Sequence, residues 1–183
     1  MCIRDSLRGL AGFLWTPTPG SAPSGAFRVS CVGLIIMIMT TIAYRNGILA
    51  ADTLVTEQGR RVGRTTKIFR HGELLWGFAG ALQHRDVVAS WLSAGLPGDT
   101  PLMETRKGAR SDALIIFDGR LICFDEHGAD SMALPQFYAI GSGAPYALGA
   151  MAHGASAEEA VRAAMNLDLY TGGDVTVLSH GAI

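Results

Sequence analysis

The chain has no excess of either charge. Fifteen Lys and Arg stand against sixteen Asp and Glu in 183 residues, a formal net charge of −1. Nothing in that balance draws in nucleic acid or an anionic membrane surface. Cysteine is scarce, with Cys2, Cys31 and Cys123 scattered and no Cys-x-x-Cys pair. That excludes a disulfide framework and a cysteine-built zinc site, and it points to a reducing, cytoplasmic setting. None of the five histidines (His71, His84, His127, His153, His180) stands at metal-ligand spacing from another, so surface or turn positions are expected and no metal is. Long hydrophobic runs are missing as well. The stretch Cys31 to Met39 (CVGLIIMIM) falls far short of the roughly 20 apolar residues of a membrane span. No internal repeat is found. What the chain does have is 49% hydrophobic residues, enough for a core, and 23 glycines, which imply many turns. Its length allows one domain.

The first 39 residues differ from the rest. Three of the seven prolines fall in Thr16 to Pro23 (TPTPGSAP), which reads as extended and unstructured. Arg4, Arg8 and Arg28 precede the apolar run, but the run sits late and no small-residue cleavage site follows it, which argues against a secretory signal. Residues 1–39 are therefore expected to be an extension that is disordered, removed or not native, with translation starting at Met37 or Met39, or else a propeptide. The working domain is expected over residues 40–183, where 12 basic and 15 acidic side chains leave a net charge of −3.

From Thr40 the pattern is strands, a helix, strands, two helices and a last strand. Thr41 to Arg45 is apolar and β-branched, and Asn46-Gly47 is a strong two-residue hairpin turn into Ile48 to Ala51. Glu57 to Arg64 reads as a polar loop. A second hairpin is predicted from Lys67–Arg70 through His71-Gly72 to Glu73–Phe78. Leu82, Val87, Val88, Trp91 and Leu92 recur at helical spacing over 79–94, with Gly95 and Pro97 as stops. Asp112–Phe117, the turn Asp118-Gly119 and Arg120–Phe124 form a further strand pair, and Phe137–Ile140 a short strand. Helices are predicted over Pro145–Ala152 and Ala157–Leu167, the latter capped by Ser156 with Glu158 and Glu159 in its first turn. Asp174–Leu178 is the closing strand. This order fits an α+β fold of two antiparallel sheets with helices outside. Trp76 and Trp91 are expected in the core or at a subunit contact, and Cys123 as a small buried hydrophobe.

Thr40 draws attention because loss of Met39 would make it N-terminal. An N-terminal Thr carries a hydroxyl nucleophile and, in an α-amine of pKa roughly 8, a base on the same residue. On its own, Thr40 is better explained as a strand former. Asp52 and Lys67 shift that balance: a lysine beside Ile68 and Phe69 that points inward needs a carboxylate partner, and Asp52 can supply it. A cation so held lowers the proton affinity of a nearby hydroxyl. Gly77-Phe78-Ala79-Gly80 reads as a strand-to-helix junction whose backbone N–H groups can bind an oxyanion. Gly141-Ser142-Gly143 is a similar junction, and Asp168 to Asp174 offers an Asp and a Thr hydroxyl that either join the site or cap the helix.

Taken in order, Thr40-Thr41-Ile42, Ala51-Asp52, Lys67-Ile68, Gly77-Phe78-Ala79-Gly80, Ile140 to Ala147 and Asp168 to Gly173 resemble proteasome β-type subunits, and the GFAG and IGSGxPYA phrases resemble bacterial HslV proteases most. The resemblance covers Thr40 to about Leu178. It implies the N-terminal nucleophile hydrolase fold, a four-layer αββα sandwich. It further implies Thr40 as nucleophile with its α-amine as base, Lys67 as the tuning lysine, Asp52 as the acid holding it and Gly77 as oxyanion donor. Ser142, Asp168 and Thr171 are implied as the surrounding polar shell, with Thr171 where the family has Ser. The implied activity is threonine-type peptide hydrolysis without metal or organic cofactor, on unfolded polypeptide or peptide, in a homo-oligomeric ring that an ATP-dependent unfoldase can serve. An inactive structural subunit of such a ring and a small-amide amidase of the same fold are the alternatives. Met39 stands where the family usually has Gly, which favours initiator-methionine removal over autolysis.

Overall fold

The computed structural model describes residues 37–95, 111–125 and 128–180. In chain order it contains β1 (Met37–Ile38), β2 (Thr41–Arg45), β3 (Ile48–Asp52), β4 (Leu54–Glu57), β5 (Arg60–Arg64), β6 (Ile68–His71), β7 (Leu74–Ala81) and α1 (Leu82–Ser93). These are followed by β8 (Asp112–Phe117), β9 (Arg120–Asp125), β10 (Gly128–Ala133), β11 (Phe137–Gly141), α2 (Ala144–Ala152), α3 (Ala157–Leu167) and β12 (Val175–Ser179).

Turn chemistry fixes the hairpins. Asn46 and Gly47 have φ of 47° and 81°, so both central residues lie in the left-handed region that a two-residue type I′ turn demands. Asp118-Gly119 repeats this between β8 and β9, and Gln58-Gly59 between β4 and β5. The last of these turns makes a hairpin of the segment predicted as a polar loop. β5 escapes sequence reading because all five of its residues are exposed, so no apolar alternation marks it. β10, Gly-Ala-Asp-Ser-Met-Ala, was likewise absent from the sequence prediction, because small and polar residues carry little strand preference. The predicted helix over 79–94 starts later, at Leu82, because β7 runs on to Ala81 with every residue buried. Gly95, at φ 76°, ends that helix as expected. The predicted stop at Pro97, like the predictions for Cys2, Cys31, His127 and residues 1–36, lies outside the described residues.

All strand pairings are antiparallel. One sheet runs β10-β9-β8-β7-β1-β4-β5, and β6 also pairs with β7; the other runs β11-β2-β3-β12. β6 pairs with residues 74–77 of β7 and β1 with residues 80–81, so the two short strands lie end to end along one edge of β7.

Three buried clusters define the layers. Ile42, Tyr44, Leu49, Ile68, Leu75, Leu114 and Leu121 fill the space between the two sheets. Trp76, Phe78, Val88, Trp91 and Phe124 pack α1 on the outer face of the larger sheet, which places both predicted tryptophans in the core. Ala43, Ala50, Ala139, Ala147, Met151, Ala160 and Val161 pack α2 and α3 on the smaller sheet; the small side chains let helix and strand approach closely. Helix, sheet, sheet, helix is the four-layer αββα sandwich expected from the sequence. The cap predicted at Ser156 is present and forms a full capping box: Ser156 Oγ accepts from Glu159 N, and the Glu159 carboxylate accepts from Ser156 N.

Candidate active site

The Asn46-Gly47 turn sets the register Ile42↔Ala51, so the next pair outward places Thr41 beside Asp52 and brings Thr40 to the end of the hairpin. There Asp52 Oδ1 accepts three hydrogen bonds, from Thr40 Oγ1 at 2.6 Å, Thr41 N at 2.9 Å and Lys67 Nζ at 2.9 Å. Its Oδ2 accepts from Leu54 N at 3.1 Å and Gly172 N at 3.0 Å. Every side of this carboxylate is thus held by a donor, and none of it is exposed.

Lys67 enters through the gap between β6 and β1. Its backbone carbonyl accepts from Phe78 N, which anchors it against β7, and its side chain runs inward to complete burial. Nζ donates to Asp52 Oδ1 and, at 3.0 Å, to the carbonyl of Met39, the residue bonded to Thr40. Burial lowers the lysine from its usual 10.5 to about 8, against the opposing pull of Asp52 and, more weakly, of Asp168.

A second chain of polar groups flanks Thr40. Asp168 caps α3 at its C-terminal end, and its Oδ2 accepts from Ser142 Oγ at 2.7 Å and Thr171 Oγ1 at 2.5 Å. Thr171 Oγ1 lies 2.7 Å from Thr41 Oγ1, and Ser142 Oγ is 3.4 Å from the Thr40 carbonyl oxygen. Two glycines make this closeness possible. A Cβ on Gly141 would lie 2.0 Å from the Thr40 carbonyl oxygen, and one on Gly143 2.0 Å from Thr41 Oγ1. The structure therefore brings Thr40, Asp52, Lys67, Ser142, Asp168 and Thr171 into one connected cluster.

Gly77 is not part of that cluster. It sits mid-strand in β7, paired with Ile68 on one side and Leu114 on the other. Phe78 N points towards β6, to the Lys67 carbonyl, so by strand alternation the N–H of Gly77 faces β8. Its missing side chain makes room for Ile42: an added Cβ would lie 2.8 Å from Ile42 Cδ1. The other glycine of the phrase, Gly80, stands beside β1 opposite Ile38, with φ of 130°, a conformation reserved for glycine.

Two further expectations are revised. His84 is buried rather than superficial; its Nδ1 lies 2.9 Å from Ser111 Oγ, which also accepts from Ala81 N, tying the end of β7 to the start of β8. Cys123 is half-buried against the inter-sheet core, and burial pushes its thiol up to about 11. Among the described residues, no group of three His, Cys, Asp or Glu side chains is placed to hold a metal ion, and no helix is long and apolar enough to cross a membrane.

No family model and no curated protein matches the chain. Solved structures do. Thiobacillus denitrificans BPH in complex with Epoxomicin is similar at a TM-score of 0.57 and 23% identity, over 79% of this chain and 100% of that one. A second structure of Thiobacillus denitrificans BPH gives a TM-score of 0.58 at 22% identity, over 78% and 98%. Eukaryotic HslV from Trypanosoma brucei gives 0.55 at 20% identity, over 78% and 99%. At such identities the likeness is one of fold, and it agrees with the fold that the sequence motifs implied.

Proposed function

We propose that this chain, folded as an N-terminal nucleophile hydrolase, is a threonine-type endopeptidase of a self-compartmentalising, homo-oligomeric ring. In this reading it works in the cytoplasm on unfolded polypeptide, with an ATP-dependent unfoldase as the expected feeder. The observation that carries the reading is the single oxygen, Asp52 Oδ1, that receives both Thr40 Oγ1 and Lys67 Nζ in full burial. A buried ion pair seldom stabilises a fold more than apolar residues of the same volume, so its presence beside a hydroxyl calls for a chemical reason.

The chemistry follows from proximity. Once the chain begins at Thr40, its free α-amine accepts the hydroxyl proton, while the Lys67 ammonium stabilises negative charge developing on Oγ1. Oγ1 adds to a substrate carbonyl, and a backbone N–H, for which Gly80 is the better placed glycine of its phrase, binds the oxyanion. Collapse expels the amine product with the proton and leaves an ester on Thr40. Water then hydrolyses the ester by the same proton path. Ser142, Asp168 and Thr171 hold the Thr40–Thr41 backbone in place rather than touching substrate. With Met39 attached there is no α-amine, and the chain is a precursor.

The test joins mass and turnover. The purified protein should have an intact mass starting at Thr40 and should hydrolyse unfolded polypeptide. Thr40→Ala should reduce hydrolysis to background without changing sedimentation, and undiminished turnover in that variant would sink the proposal.

A further inference from the structure

The two ends of the larger sheet carry opposite charge. At one end β5 is an edge strand bearing Arg60, Arg61 and Arg64, all exposed. Arg60 stands opposite Glu57, and Arg64 pairs with Asp174, but Arg61 makes no ion pair or hydrogen bond among the described residues. The register shift between Val55 and Thr56 leaves Val62 without a partner on β4, a bulge that pushes this half-exposed side chain outward beside Arg61. A bulged, arginine-rich edge cannot extend the sheet by backbone pairing, so whatever meets it meets side chains.

At the other end lies a hollow of about 550 Å³ whose lining includes Asp112, Asp125 and Asp130 together with Cys123, Tyr138 and Gly141. All three carboxylates act on Cys123, whose thiol they push up along with burial. Asp130 is exposed on the outer strand β10 and makes no ion pair among the described residues. Two residues on, and so on the same face of the strand, Met132 is 39% exposed. A charged and an apolar group thus stand side by side here, matching Arg61 and Val62 at the far edge. Arg120, the nearest cation on this hairpin, sits opposite Ala133 at its other end and is bonded to Ser131.

Five strands separate the two features in the order β10-β9-β8-β7-β1-β4-β5, and six spacings of roughly 4.8 Å put them about 29 Å apart. They cannot meet within one molecule. A contact between them must join two molecules head to tail, the kind that generates rings when its rotation closes. We infer that the β4–β5 hairpin of one copy seats in the acidic hollow of the next, Arg61 reaching Asp130 and Val62 packing near Met132. The occupant is thus a second copy of this chain. The hollow includes Gly141, which covers the Thr40 carbonyl, so the incoming hairpin also walls the neighbour's active site. This deepens the ring of the proposed function and rests on it.

Sedimentation of the full-length protein and three variants tests the contact. Arg61→Glu and Asp130→Arg each reverse a charge at an exposed position and should each weaken assembly about tenfold or more. The double variant Arg61→Glu with Asp130→Arg exchanges the pair and should restore assembly. Single variants that assemble like the wild type would overturn the interface while leaving the ring intact. Singles that dissociate without rescue in the double variant would overturn this pairing as well. A wild-type chain that sediments as a monomer would instead overturn the ring itself, and the interface with it.

Discussion

At the scale of single residues, the burial of Lys67 has consequences of opposite sign for activity and stability. In the proposed mechanism its ammonium is the form that assists Thr40, and its pKa is lowered to about 8. As pH rises through 8 that charge is lost, so kcat/KM should fall on the alkaline side, while the α-amine, with pKa roughly 8, sets the acid limb. A narrow bell centred near pH 8 is the expected profile. Stability moves the other way. Between about pH 8 and the usual 10.5 the unfolded chain binds more protons at this lysine than the folded one, so its contribution to unfolding free energy increases with pH across that window. Denaturant midpoints of the wild type and Lys67→Met, compared at pH 7.5 and 10, measure it. Asp52 carries the complementary risk. Asp52→Asn leaves a buried cation without its counter-charge and should destabilise by about 3–5 kcal/mol, most of it recovered in Asp52→Asn with Lys67→Met. A single variant with an unchanged urea midpoint would contradict this.

At the scale of elements, Gly77 shows how a short phrase misleads. Gly-Phe-Ala-Gly reads as a strand-to-helix junction offering N–H groups, yet all four residues lie inside a buried strand, and the first glycine serves packing. Gly77→Ala drives a Cβ against Ile42 Cδ1 and should cost about 1–3 kcal/mol by overpacking. Ile42→Val removes the obstructing methyl and should return most of that loss in a thermal or urea titration. The β2–β3, β6–β7 and β8–β9 hairpins were legible because turn residues and apolar strands sit together in the sequence. β5 and β10 were not, since an exposed edge strand needs no apolar face and so leaves no pattern. The site divides along the same line. Thr40, Asp52 and Lys67 are held by legible hairpins. The link from Asp168 through Thr171 to Thr41 depends on where α3 ends against β2, a tertiary fact that no local spacing records. The burial of His84 escapes the sequence for a related reason, because helix periodicity gives no account of what the first turn of α1 packs upon.

At the scale of the whole molecule, the middle of the larger sheet is held by two residues. Among the described residues, β4 pairs only with β5 and β1, and β1 is the sole strand joining that hairpin to β7. In the proposed mature form, loss of the residues through Met39 therefore does more than bare an amine. It leaves two rims of unpaired backbone facing each other about two strand spacings apart, roughly 10 Å. Such a slit admits one extended polypeptide, whose N–H and C=O groups can bond to both sides. A helix has already spent those groups internally and is itself roughly 10–12 Å across with its side chains. In the proposed mature form a piece of architecture thus becomes a gauge, one that measures the shape of an incoming chain before any side chain is read.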